Sequence, residues 1–214
     1  MYMNAENIAS LPQVLNQKPA QGPGRRRQIG QLRLHPLGLD RFNQLLASLG
    51  RVQPMDCDQI VTAARGLVDG RPGDTLPPCI AGRLRQAEAM ARMLADSNWT
   101  AANEAVSPAR AALDYVQGQD DLIPDWVPQV GRLDDAIVID TVWPRLSAEV
   151  LSYLDFCRLR LIEASLRGVD PAGFRYTRSD WEISRQAEAA LRAQQRRVRE
   201  GSYVPSPLRH FRVH

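Results

Sequence analysis

Beyond Asp40 the apolar residues fall three and four positions apart, the spacing of helices that bury one face. Asp40 is placed to cap a helix presenting Phe42, Leu45, Leu46 and Leu49, with Gly50 to end it. A second helix fits 56–68 through Ile60, Ala64 and Leu67, and a third fits about 79–96 through Leu84, Ala87, Ala91 and Leu94. Ser107-Pro108 has the form of a cap followed by proline at the first helical position, opening a helix to about 116. Another spans 131–142, and Pro144 is expected to restart the chain. The strongest periodicity then runs over 145–167, where Leu146, Val150, Leu154, Cys157 and Leu161 recur and Gly168 closes the run. Ser179-Asp-Trp-Glu182 reads as a capping box opening a last helix to about 200. A short helix around 4–16, interrupted by Pro12, is also compatible with the pattern. No stretch alternates with period two for the length of a strand, so the fold class expected is all-α.

Three segments follow from where this pattern starts and stops. Residues 1–36 are expected to be a flexible basic arm, because 17–24 (Gln-Lys-Pro-Ala-Gln-Gly-Pro-Gly) carries little apolar surface and Arg25-Arg26-Arg27 follows. Residues 37–168 are expected to form a single helical domain, and 169–214 a basic helix and tail.

Composition removes whole classes of chemistry. The 214 residues carry a net charge of +3, with one lysine, Lys18, beside 26 arginines and only three histidines: His35, His210 and His214. Positions 36–209 therefore contain neither lysine nor histidine. A Walker A loop and a Schiff-base lysine are missing there, and a Ser-His-Asp set or a zinc site would have to borrow a terminal imidazole. Cys57, Cys79 and Cys157 are odd in number and lack CxxC spacing, as expected of reduced thiols. The N-terminus has no secretory pattern, and no apolar run approaches the roughly 18–20 residues that span a bilayer. A cytoplasmic, non-transmembrane protein is the expectation.

The charge is unevenly distributed. Residues 114–140 hold seven aspartates against one arginine, Arg132. Their centre, Asp121-Leu-Ile-Pro-Asp125-Trp-Val-Pro-Gln-Val-Gly131-Arg-Leu-Asp134-Asp135, has the prolines, glycine and spaced apolar residues of a turn joining two helices. In this window the chain resembles the YkvA-like proteins, a family of small helical proteins without an established molecular activity. Asp121, Ile123, Pro124, Asp125, Pro128, Gly131, Asp134 and Asp135 match its signature position by position, within about 111–151. Upstream the chain departs from the family, with Gly118-Gln119-Asp120 where Ser-Pro-x is usual, and Arg132 stands where an apolar or aromatic residue is common. The resemblance implies a helical fold and this hairpin, and no enzyme class.

Two chemistries compete for Asp121, Asp125, Asp134 and Asp135. As structural groups, Asp121 and Asp125 would cap a turn around Pro124, and Asp134 and Asp135 would sit in the first turn of the next helix, where its dipole favours negative charge. Arginines such as Arg145 or Arg158 would neutralise the remainder. As a hard-cation site, the same oxygens would suit Mg²⁺ or Ca²⁺, although the EF-hand spacing is absent. Asp140, on a face shared with Leu133 and Ile137, is expected to be partly buried and paired with a core arginine.

The C-terminal helix has its own asymmetry. Arg178, Arg185, Arg192, Arg196 and Arg199 fall within about 60° of one another at 100° per residue, with Trp181 beside them. Ile183, Ala187, Ala190, Leu191 and Val198 lie opposite. Such a stripe serves as a solvated face paired with Glu182, Glu188 and Glu200, as a phosphate contact on nucleic acid, or as an interface with an acidic protein or anionic membrane surface. The function expected is that of a non-enzymatic helical interaction or regulatory protein, of adaptor or immunity-inhibitor type, with a protein partner and no cofactor. A nucleic-acid-binding protein using the stripe and a metal-dependent hydrolase using the aspartates are the alternatives.

Overall fold

The computed structural model describes residues 8–18, 26–69, 75–171 and 173–202. They form six α-helices and one two-stranded hairpin, an all-α architecture as the periodicity predicts. The helices are α1 (Pro36–Ser48), α2 (Cys57–Val68), α3 (Pro78–Ala95), α4 (Asn103–Val116), α5 (Leu133–Leu166) and α6 (Arg178–Ser202). Strands β1 (Gln28–Ile29) and β2 (Leu32–Arg33) pair antiparallel, and a short 3-10 helix covers Gln13–Asn16. Part of the expected N-terminal arm is thus folded. Leu11, Leu15, Ile29 and Leu34 are buried, four apolar anchors that the glycine- and proline-rich residues between them conceal in a composition average. The tail residues Tyr203, Arg209, His210, Phe211 and Arg212 lie outside the described residues.

Contacts along the chain divide it into two units, Met1–Asp155 and Phe156–His214. The division falls inside α5, whereas the composition shifts suggest 36/37 and 168/169. Each unit has its own packing.

In the first unit the elements begin and end for identifiable reasons. α1 starts at Pro36 rather than after Asp40, because His35 Nδ1 accepts the Leu37 N–H at 3.3 Å and Pro36 holds the first helical position. It ends at Gly50 as expected, with Gly50 N–H on Ala47 O and Arg51 N–H on Leu46 O, a Schellman pair. Asp56 and Gln59 form a reciprocal capping box at the start of α2. The buried face of α3 is turned from the predicted stripe: Leu84, Ala91 and Leu94 are only half-buried, whereas Ile80, Arg83, Met90 and Met93 are buried. The reason is Arg83, whose Nε and Nη2 donate to Asp140 Oδ1 at 3.1 and 2.7 Å. This is the partner expected for Asp140.

Two proline-based boundaries are corrected. α4 begins at Asn103 and carries Pro108 inside it, with Ala105, Pro108, Ala109, Ala112 and Leu113 buried. α5 runs unbroken through Pro144. Buried Ile137, Ile139 and Val142 before the proline and Leu146 and Val150 after it hold both sides in one continuous helix, so packing overrides the local break.

In the second unit Phe156 stacks on Tyr176 at 5.6 Å and Tyr176 on Phe174 at 6.0 Å. Arg160 and Arg167 lie over the Phe156 and Phe174 rings, each 5.0 Å from the centroid. Tyr176 hydroxyl donates to Ser184 Oγ at 3.1 Å. The cap of α6 is Thr177 with Asp180, not Ser179 with Glu182: Asp180 Oδ2 accepts the Thr177 N–H at 2.8 Å and its hydroxyl at 2.7 Å. Those hydrogen bonds hold the Asp180 carboxyl below the usual carboxylate range.

Candidate functional site

The connection between α4 and α5 brings Asp134 and Asp135 into the protein, the first fully buried and the second nearly so. Asp134 lies in the first turn of α5 and reaches back across the turn. Its Oδ2 accepts the Tyr115 hydroxyl at 2.7 Å, the Leu122 N–H at 2.8 Å and the Ile123 N–H at 3.0 Å. The carboxylate therefore supplies acceptors that the turn backbone lacks, while Ile123, Val130 and Leu133 are buried around it. Its Oδ1 is buried with no hydrogen-bond partner.

Asp135 is held differently. Its Oδ2 forms an ion pair with Arg132 Nε, and its Oδ1 is buried without a hydrogen-bond partner. Arg132 also donates through Nη1 to Asp125 Oδ2 at 2.9 Å and through Nη2 to Val116 O at 3.3 Å. One guanidinium thus joins the end of α4, the middle of the turn and the start of α5. The turn is tight at Gly131, where a Cβ would come within 2.5 Å of Asp125 O and 2.8 Å of Pro124 O. Only glycine fits there without moving backbone.

Electrostatics follow from this burial. Desolvation pushes the Asp134 carboxyl up to about 6, against the hydrogen bonds from Ile123 and Tyr115. Desolvation, reinforced by the neighbouring Asp134, pushes Asp135 up to about 8 despite Arg132. The Tyr115 hydroxyl is raised well above its usual range by burial and by Asp134. Asp121 is half-buried, makes no side-chain hydrogen bond among the described residues, and is raised by burial and by Asp125.

The structure thus separates the four sequence-selected aspartates. Asp134 is a turn clasp, Asp125 and Asp135 share Arg132, and Asp121 caps nothing. Arg145, expected as a counter-charge, instead donates to Leu49 O at 3.4 Å. Sequence reasoning missed Tyr115 and gave Arg132 no role, although Arg132 is the one cation in the acidic segment and lies three residues before Asp135. Among the described residues no group of three His, Cys, Asp or Glu side chains is arranged to hold a metal ion.

The stripe on α6 is formed and partly neutralised. Arg178 Nε pairs with Glu182 at 3.2 Å, and Glu188 takes both Arg185 and Arg192. Arg192, Arg196 and Arg199 line a shallow groove with Ala189 and Gln195, while Trp181 is half-buried. On the other side of the helix Ile183, Leu191 and Val198 are 65%, 55% and 64% exposed. No helix among the described residues is long and apolar enough to cross a membrane.

Comparison of the chain with protein-family models, curated proteins and solved structures finds no match.

Proposed function

We propose that this is a non-enzymatic helical interaction protein, of adaptor or immunity-inhibitor type, that binds a protein partner through the unit Phe156–Ser202. One observation carries the reading. Among the described residues, seven of the twelve exposed large apolar side chains fall in this shorter unit, including Leu161, Ile162 and Leu166 on α5 and Ile183, Leu191 and Val198 on α6. Exposed apolar surface concentrated in one region is the mark of an association face. The polar face of α6 supports a protein over a nucleic acid, since Arg178, Arg185 and Arg192 already engage Glu182 and Glu188. Its alanines, Ala187 and Ala190, offer little to a membrane.

The aspartates belong to this proposal as scaffold. A hydrolase centre needs carboxylates open to substrate, and Asp134 and Asp135 face inward. The tight turn at Gly131 and the clasp at Asp134 suit a shared aspartate signature and support kinship with the YkvA-like proteins. A reducing, cytoplasmic setting fits the three cysteines being thiols.

The test is co-purification from the native host with wild type, Ile183→Asp/Leu191→Asp and Arg192→Glu/Arg196→Glu chains, each with and without nuclease. The reading expects a protein partner that survives nuclease and is lost with the apolar pair. A complex that dissolves with nuclease would replace it with the nucleic-acid alternative, and a nuclease-resistant complex that depends only on the arginines would move the contact to the arginine stripe and an acidic protein.

A further inference from the structure

Residues 8–17 lie across α2 and α3 as a strap, and the way they are held is that of a bound peptide. Leu11 and Leu15, four residues apart, are buried. The polar links run in one direction, from side chains of the body to the strap. Arg83 Nη1 donates to Ala9 O, Arg51 Nη2 to Leu15 O and to Asn16 Oδ1, and Gln59 Nε2 to Val14 O and Gln17 O. The strap's own N–H groups at Leu15 and Gln17 turn back on Pro12 O and Val14 O within the 3-10 helix. Recognition thus rests mainly on backbone carbonyls, present in any chain, and two leucine positions, with one side-chain acceptor at Asn16. Peptide grooves combine main-chain bonds and side-chain pockets in the same way.

The body is prepared for the strap and also for its departure. Gly82 in α3 leaves the notch that Ile8 enters, since a Cβ there would come within 2.5 Å of Ile8 Cγ2. Each of the three donor residues keeps another partner when the strap is absent. Arg51 Nε holds Gln53 O at 3.1 Å, Gln59 Oε1 accepts the Asp56 N–H at 2.8 Å, and Arg83 keeps Asp140 and Cys79 O. Release gives Gln59 Nε2 and Arg51 Nη2 over to water, while the remaining bond of each residue keeps its side chain in place.

We infer that the surface of α2, α3 and Arg51 is a peptide-binding groove, occupied in cis by residues 8–17. In trans it accepts an uncharged Leu-x-x-x-Leu segment of a partner protein. The strap then acts as an internal competitor, lowering the apparent affinity for the partner segment by the fraction of time the groove is closed. The groove lies in the first unit, and the α6 face belongs to the second.

The experiment uses the full chain with a protease site placed in 19–25. After cleavage, a fluorescent peptide of residues 8–18 is added and its anisotropy followed. The inference expects the cut chain to stay folded by circular dichroism, the labelled peptide to exchange in, and unlabelled peptide to compete. A peptide with Leu11→Asp and Leu15→Asp should bind at least about tenfold more weakly. Arg51→Ala in the body should lower affinity several-fold while leaving the melting temperature of the uncut chain nearly unchanged. Failure of the peptide to exchange, equal binding of the aspartate peptide, or loss of helical signal when the strap is competed away would each show the strap to be a fixed part of the core.

Discussion

The turn between α4 and α5 depends on one oxygen atom, Asp134 Oδ2, which holds Tyr115 and the N–H groups of Leu122 and Ile123. Asp134→Ala leaves the buried Ile123 N–H without an acceptor and the Leu122 N–H with only the Tyr115 hydroxyl at 3.1 Å, and a buried donor left unmet costs about 1–3 kcal/mol. The expected destabilisation is about 2 kcal/mol in a urea titration, with Asp134→Asn losing less because its amide oxygen still accepts. Asp121→Ala should be neutral or stabilising, because that carboxyl makes no hydrogen bond among the described residues and is opposed by burial and by the charge of Asp125. A larger loss at Asp121 than at Asp134 would refute the clasp. The pair also sets a pH dependence. Both carboxyls are raised from 3.8, Asp134 to about 6 and Asp135 to about 8, so the native state binds more protons than the unfolded one. Their contribution to stability is fullest below 3.8 and is lost as pH rises through 6 and then 8. The urea midpoint of Asp135→Asn should therefore gain on wild type between pH 5 and pH 9. Parallel pH profiles for the two chains would contradict the assignment. The sequence marks these aspartates through their spacing; it does not say which ones are buried, because the oxygens find Leu122, Ile123 and Arg132 only once the turn closes.

At the scale of elements, Pro144 is the informative residue. It is exposed on α5 and has no N–H to give to the carbonyl of Asp140, yet the helix passes through it. An interior proline weakens a helix by about 3 kcal/mol, partly offset by the stiffer unfolded chain. Pro144→Ala should thus stabilise the protein by about 1–2 kcal/mol without changing its helix content, measured by urea unfolding and far-ultraviolet circular dichroism. If the variant is instead less stable, the proline serves packing and not tolerance. The helices themselves are legible from apolar spacing, since burial of a face is what selects such spacing. Their ends are less so. Pro108 and Pro144 carry the local signals of helix starts, but the buried residues on either side extend each helix past its proline. The rotation of α3 has a similar origin: an arginine reads as a surface residue until Asp140 of α5 meets it across the core.

For the molecule as a whole, charge and apolar surface are sorted by region. Reversing Arg192 and Arg196 should leave the melting temperature nearly unchanged, since exposed ion pairs contribute about 0–1 kcal/mol each. Any partner complex steered by the stripe should form more slowly, and added salt should mimic the reversal. A double reversal that unfolds the protein would make the stripe an internal clasp. The sequence by itself determined that the fold is all-α and that an acidic turn joins two helices. It also determined that the lysine and histidine chemistries are missing from 36–209, because periodicity and composition are properties of the chain alone. Tertiary structure decided the rest: that Asp134 faces inward while Asp121 makes no hydrogen bond among the described residues, that Arg132 and not Arg145 answers the aspartates, and that residues 8–17 lie on α2 and α3 instead of trailing as an arm. These outcomes turn on donors and acceptors that are distant in sequence, such as Arg83 with Ala9 and Asp140. A buried polar atom takes its partner from whichever segment packing brings within about 3 Å, and local sequence does not encode that choice.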